Sequence, residues 1–178
     1  MRPVKIYKLA AIALLFLVSC SSCKENKSAQ EGTRLTQEES IQLNKGILAK
    51  EKEEIDLFIK RYEWDMEASG TGLRYDIYYS SGSTDRPVKG DEITLKYTVK
   101  GLDGNLIYDS DVDGLMYVKV EQDRTPRGIR EGVQLLGFGD KARFILPSHL
   151  AYGVHGDENK ISHSQVLVYD MELISIAK

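Results

Sequence analysis

The chain has 178 residues, 42% of them hydrophobic, 29% charged and 8% aromatic, with a formal net charge of −3. Those fractions suit one globular domain with added segments, and they exclude a fibrous chain, a wholly disordered one and a multi-span membrane protein. No broad basic excess exists to neutralise phosphates, so no nucleic acid partner is expected, and Cys20 and Cys23 lie too near the N-terminus to staple the rest.

Arg2, Lys5 and Lys8 precede an unbroken apolar run at residues 9–18 (LAAIALLFLV). Ten residues are too few to span a bilayer, which takes about 20, but they match the apolar region of a signal peptide. The following Leu17-Val18-Ser19-Cys20 resembles the lipobox of bacterial lipoproteins. That resemblance implies a signal peptide at 1–19 and lipidation of Cys20. It places the protein in the cell envelope, anchored to a bacterial membrane and facing the periplasm or the cell surface. A plain secretory signal or an uncleaved anchor is the other reading. Residues 20–34 hold almost nothing apolar and read as a flexible tether.

Residues 35–66 read as an N-terminal helical segment. Thr36 and Glu39 form a capping box. Ile41, Leu48, Ile55 and Tyr62, flanked by Ile47, Phe58 and Ile59, recur with helical spacing. Gly46 is expected to break the run into two pieces. The stripe is short and rich in Lys and Glu. It suits a helix packed on its own domain better than a coiled coil, which needs three or four heptads. A dimer helix or partner-binding arm is the alternative, and a monomer is expected.

From Leu73 the period changes to two. Leu73, Tyr75, Ile77 and Tyr79 alternate, as do Ile93, Leu95, Tyr97 and Val99. Met116, Val118 and Val120 follow, then Ala142, Phe144 and Leu146, then Leu167, Tyr169, Met171 and Leu173. Such alternation means half-buried strands. Turn clusters separate them at residues 80–83, 89–91 and 103–104. Residues 128–136 read as a short helix. Short hairpin-like strands with one helix on a face give an α+β class with an antiparallel sheet.

Residues 132–153 (GVQLLGFGDKARFILPSHLAYG) resemble the signature of the FKBP-type peptidyl-prolyl cis–trans isomerases. Gly90-Asp91, Tyr97, Asp103-Gly104, Tyr108-Asp109-Ser110 and the last strand at 166–173 fall in the order of that family. With the lipobox, the leading helix and the Gly70-Thr71-Gly72-Leu73 entry, the chain is most similar to the gliding-motility-associated isomerase lipoproteins of Bacteroidetes-type bacteria. The resemblance implies a catalytic domain at 67–178. Its fold would be a five- or six-stranded antiparallel sheet wrapped around one short helix, with an apolar hollow between them.

Carried over position by position, Tyr97, Asp109 and Tyr152 would be the catalytic positions. Tyr108, Met116, Thr125, Pro126, Ile129, Ile161 and Tyr169 would bind substrate. The implied substrates are X–Pro segments of exported polypeptides, with no cofactor and no metal. The reaction rotates an amide whose resonance barrier is about 18–20 kcal/mol. A dry apolar hollow favours the twisted, less polar transition state over the planar ground state. Tyr152 would donate its hydroxyl to a substrate carbonyl, and Asp109 would orient polar neighbours at the hollow's edge. The chain departs from the family in three places. Ile129 replaces the usual tryptophan floor, Thr125-Pro126 a Val-Ile pair, and Tyr169 a phenylalanine. A non-catalytic FKBP-like module holding Pro-containing segments is the alternative function.

Asp109-Ser110-Asp111-Val112-Asp113-Gly114 matches the start of a calcium-binding EF-hand loop, but Val120 stands where the closing Glu belongs. His149, His155 and His163 are too irregularly spaced for a ligand pair on one helix.

Overall fold

The computed structural model describes residues 36–121 and 125–178. The signal-peptide, lipobox and tether readings lie outside the described residues. The chain divides into two compact units, Met1–Ser40 and Ile41–Lys178. Within the first, the Thr36 hydroxyl accepts the Glu39 amide at 3.2 Å, and the Glu39 carboxylate takes the Thr36 amide at 2.8 Å. That is the expected capping box.

Helix α1 runs unbroken over Gln37–Tyr62, so Gly46 does not divide it. Nothing lies within 4 Å of a Cβ built there. The glycine therefore costs only its propensity, about 1 kcal/mol, which the cap and the buried face further along offset. Glu63 ends the helix in the left-handed region at φ 53°. The Trp64 amide reaches back to the Ile59 carbonyl at 3.2 Å and the Glu63 amide to that of Lys60 at 3.4 Å, which is a Schellman stop.

The strands are β1 Glu67–Ala68, β2 Arg74–Tyr79, β3 Glu92–Gly101, β4 Leu106–Asp109, β5 Met116–Lys119, β6 Lys141–Leu146 and β7 Leu167–Ala177. They form one antiparallel sheet in the order β1-β2-β6-β7-β3-β4, with β5 also on β3. The count is seven rather than five or six. The two-residue β1 is too short to show a period, and two separate strands share one edge of β3. Between them sits the four-residue helix α2, Ser110–Asp113. The expected short helix is α3, Arg127–Gly132, continued by a 3₁₀ turn at Val133–Leu135.

Alternation sorts the sheet residues onto two faces. Leu95, Val99, Phe144, Leu146, Tyr169 and Met171 face α3 in the main core, with Ile129 and Val133. Ile145 and Val168 face the other way and meet Ile55 and Phe58 of α1. The helix thus packs on its own domain.

Candidate active site

Strand register lines up Tyr75, Phe144, Tyr169, Val99 and Tyr108 in one row across five strands. Ala142, Met171 and Tyr97 form the next row on the same face. Tyr97 ends its row at a gap. The pairing of β5 with β3 stops at Leu95, and that of β4 begins at Thr98. The α2 helix fills the gap, and the buried Ser110 hydroxyl accepts the Tyr97 amide at 3.1 Å. This satisfies a ladder donor that neither strand reaches.

Opposite the rows, α3 lies against β6 through two glycines one turn apart. A Cβ at Gly128 would come within 2.7 Å of Leu146 Cγ and Cδ2, and one at Gly132 within 2.8 Å of Phe144 Cε1. This approach leaves Ile129 only 1% exposed in the core beside Tyr169 and Ile161. Pro126 precedes the helix, where its missing N–H is no loss. Its carbonyl accepts the Ile129 and Arg130 amides at 3.0 and 3.1 Å.

The segment from β6 to β7 closes the site. A 3₁₀ turn, Ser148–Leu150, leads to the half-buried Tyr152. Gly156 has φ 70°, and a Cβ there would run into the Ile161 carbonyl oxygen, so only glycine fits. Asp157 organises the rest of the loop. Its carboxylate accepts the Ile161 amide at 2.7 Å, the Asn159 amide at 3.0 Å and the Tyr108 hydroxyl. Lys160 lies 4.5 Å from the Tyr108 ring centroid and pairs with Asp113 at 2.8 Å. The loop is thereby clasped to β4 and α2.

Seven of the ten expected site residues share one apolar cluster: Tyr97, Tyr108, Met116, Ile129, Tyr152, Ile161 and Tyr169. Ile129, Ile161 and Tyr169 are its buried members, while Tyr97, Tyr108, Met116 and Tyr152 are half-buried. Asp109 stands at the edge and caps α2, accepting the Asp111 amide at 2.9 Å. Thr125 and Pro126 are half-buried ahead of α3. The three aspartates of the calcium-like run are engaged elsewhere, Asp111 with Lys96 and Asp113 with Lys160 and the Asp109 amide. Sequence reasoning missed Ser110, Asp157 and Lys160. The spacing of Asp157 and Asn159 suits an Asx turn and was the one available signal.

The site's tyrosines are held as hydroxyl donors at neutral pH. Burial pushes Tyr152 up, with Asp157 and Tyr97 adding to the rise and the Tyr169 hydroxyl opposing it. Tyr169 is pushed well up, by burial first and then by Tyr152. Tyr108 reaches about 12, from burial and then its bond to Asp157. Tyr97 rises by burial, aided by Asp113. Burial also pushes Asp157 up, but the Tyr108 hydroxyl and the Ile161 and Asn159 amides outweigh it and hold the carboxyl below its ordinary value. The arrangement offers an apolar surface edged with hydroxyl donors, which can grip a proline ring and hydrogen-bond a neighbouring carbonyl.

Residues 83–174 match the family model of the FKBP-type peptidyl-prolyl cis-trans isomerases. A probable FKBP-type peptidyl-prolyl cis-trans isomerase FkpA of Neisseria meningitidis is 31% identical over 142 residues, covering 79% of this chain and 52% of that protein. A peptidyl-prolyl cis-trans isomerase of Schizosaccharomyces pombe is 32% identical over 107 residues, 59% of this chain and 95% of the relative. The crystal structure of FkpA from Escherichia coli superposes with a TM-score of 0.62 at 20% identity, covering 99% of this chain and 84% of that one. That last likeness concerns the fold alone. The chain spans about half the length of the bacterial relatives it matches. With the matched segment reaching from before β3 into β7, across α3 and the Tyr152 loop, the chain belongs to the FKBP-type peptidyl-prolyl cis-trans isomerase family.

Proposed function

We propose that the chain is a lipid-anchored peptidyl-prolyl cis–trans isomerase that assists folding of exported or envelope proteins. Residues 1–19 are its signal peptide, 20–34 its tether from lipidated Cys20, 35–66 its helical segment and 67–178 its catalytic domain. The observation that carries the activity is the half-buried set of Tyr97, Tyr108, Met116 and Tyr152 over buried Ile129, Ile161 and Tyr169. A proline ring seated there leaves water. Rotation of the X–Pro amide toward its twisted form loses carbonyl polarity, which costs less in an apolar hollow than in water. The Tyr152 hydroxyl fixes a flanking carbonyl while the other end turns. Neither a nucleophile nor a proton relay takes part. A link to gliding motility is supported by the likeness of the lipobox, the leading helix and the Gly70-Thr71-Gly72-Leu73 entry.

The test is exchange NMR or a protease-coupled assay with several X–Pro peptides on the folded protein. Wild type should accelerate exchange, and Tyr152→Phe should lower turnover several-fold, with Asp109→Ala as a second control. A folded wild type that accelerates nothing discards the enzyme. It would favour the binding module, for which the aliphatic Ile129 floor is the supporting observation.

A further inference from the structure

The geometry points to Glu51 of α1 as a positioning residue for Tyr152, which makes the N-terminal helix part of the isomerase site. The inference rests on the role given to Tyr152 above. Glu51 is a carboxylate only 5% exposed, on the helix face that also buries Ile55 and Phe58. Residues at 51, 55 and 58 share a face by helical spacing. No cation pairs with Glu51 in the ion pairs of the described residues.

What it does hold is Ser148, 97 residues away in sequence. One carboxylate oxygen accepts the Ser148 amide at 3.0 Å, and the other accepts the Ser148 hydroxyl. Ser148 is itself 5% exposed, so water does not compete for these donors. A buried polar group is tolerated where hydrogen bonds satisfy it, and loss of this one would leave two donors unmet.

Ser148 in turn holds both sides of Tyr152. Its carbonyl accepts the Ala151 amide at 3.0 Å and the Gly153 amide at 2.8 Å. The residues before and after Tyr152 are thus both anchored on the carbonyl of the residue whose amide and hydroxyl Glu51 holds. Gly153 sits at φ 61° and Ala151 at φ −97°, ψ −120°, so regular secondary structure does not constrain the turn. The path runs from carboxylate to Ser148 to the two peptides flanking the tyrosine, with no long side chain in between. A shift of Ser148 therefore passes directly to the Tyr152 hydroxyl.

Two measurements on the full chain decide it. The first is a double-mutant cycle of Glu51→Ala with Tyr152→Phe, read as kcat and KM on an X–Pro peptide. Glu51→Ala should lower kcat roughly tenfold with little change in KM, since misplacement of an oriented group acts on the oriented step. In the Tyr152→Phe background it should lower kcat hardly at all, and Glu51→Gln, which keeps one acceptor, should recover part of the loss. Equal losses in both backgrounds would overturn the proposal, because a merely structural role is additive.

The second is amide hydrogen exchange, which needs no activity. Glu51→Ala should speed exchange at Leu150, Ala151 and Gly153 while amides of β3 and β7 keep their protection. Unchanged exchange in the turn, or a rise shared by the sheet, would overturn the proposal. If wild type isomerises nothing, the reading of the site fails on its own, and the exchange pattern still judges the link from Glu51 to the turn.

Discussion

Gly132→Ala sets two effects of known sign against each other. Gly132 has φ −63° and ψ −40°, a conformation alanine prefers. Considered locally, the change should stabilise by about 0.5–1 kcal/mol, because glycine loses more freedom on folding. But the new methyl would lie 2.8 Å from Phe144 Cε1 and 3.1 Å from Cδ1 and Cζ. That ring is 1% exposed, held between Tyr75 and Tyr169 in the five-strand row, so it cannot swing to solvent. Overpacking of a filled core costs about 1–3 kcal/mol. The net expectation is a loss of about 1–2 kcal/mol, seen as a fall of roughly 0.5–1 M in the urea midpoint at unchanged slope. In a Phe144→Leu background the same change should cost less than about 0.5 kcal/mol, since the ring edge is gone. A midpoint that rises in the wild-type background would refute the claim that contact with β6, rather than helix propensity, selects glycine here.

Asp140 is 2% exposed, and its carboxylate accepts the Ser81 and Gly137 amides, each at 2.7 Å. Burial pushes it up, but those amides and the Ser81 hydroxyl hold the carboxyl below its ordinary value. Its contribution is therefore complete above the unfolded carboxyl range near about 4 and is lost as pH falls through the lower folded value. Urea titrations at several pH values should show Asp140→Asn less stable than wild type at pH 7 and the gap closing in acid. Phe58→Ala removes a ring, 7% exposed, that meets Trp64 edge to face at 5.5 Å between centroids. It should cost about 3–5 kcal/mol, with a changed emission from Trp64, the sole tryptophan. Cys20→Ala should move the protein from the membrane fraction to the soluble one. Retention in the membrane would exclude a lipid anchor at that residue.

Period two was readable in β2, β3, β5, β6 and β7 because each has a face on the core, and the glycine-containing clusters at 80–83, 89–91 and 103–104 marked turns between strands. The short helix stood out by contrast at 128–136. Cross-strand register was not readable, since it depends on pairings far apart in sequence, so the row joining Tyr75 to Tyr108 emerged only from the fold. The break in the β3 edge was hidden for a related reason. Residues 109–114 match the start of a calcium-binding loop, and nothing local says that Ser110 completes a ladder. Glu51 was the least legible of all. A glutamate among lysines and glutamates reads as solvent-facing, and only the return of Ser148 to the same spot buries it. Most of the site's apolar members could be named because aromatic residues at alternate positions and an ordered family likeness coincided. The polar clasp of Asp157, Lys160 and Asp113 is long-range and left almost no local trace.

The split pairing along β3 has a further consequence. An unprotected sheet edge is a template on which another extended chain can add itself. Here one side of the sheet ends in two four-residue strands interrupted by a helix. The other ends in a two-residue strand, and beyond it the pairing of β2 with β6 shifts register at 76–79. Neither border offers a long, straight run of free amides and carbonyls. A protein proposed to work among unfolded chains is thus poorly suited to growing its own sheet with them. Contact with such chains is left to side chains around the tyrosines, from which a client can leave without unzipping a ladder.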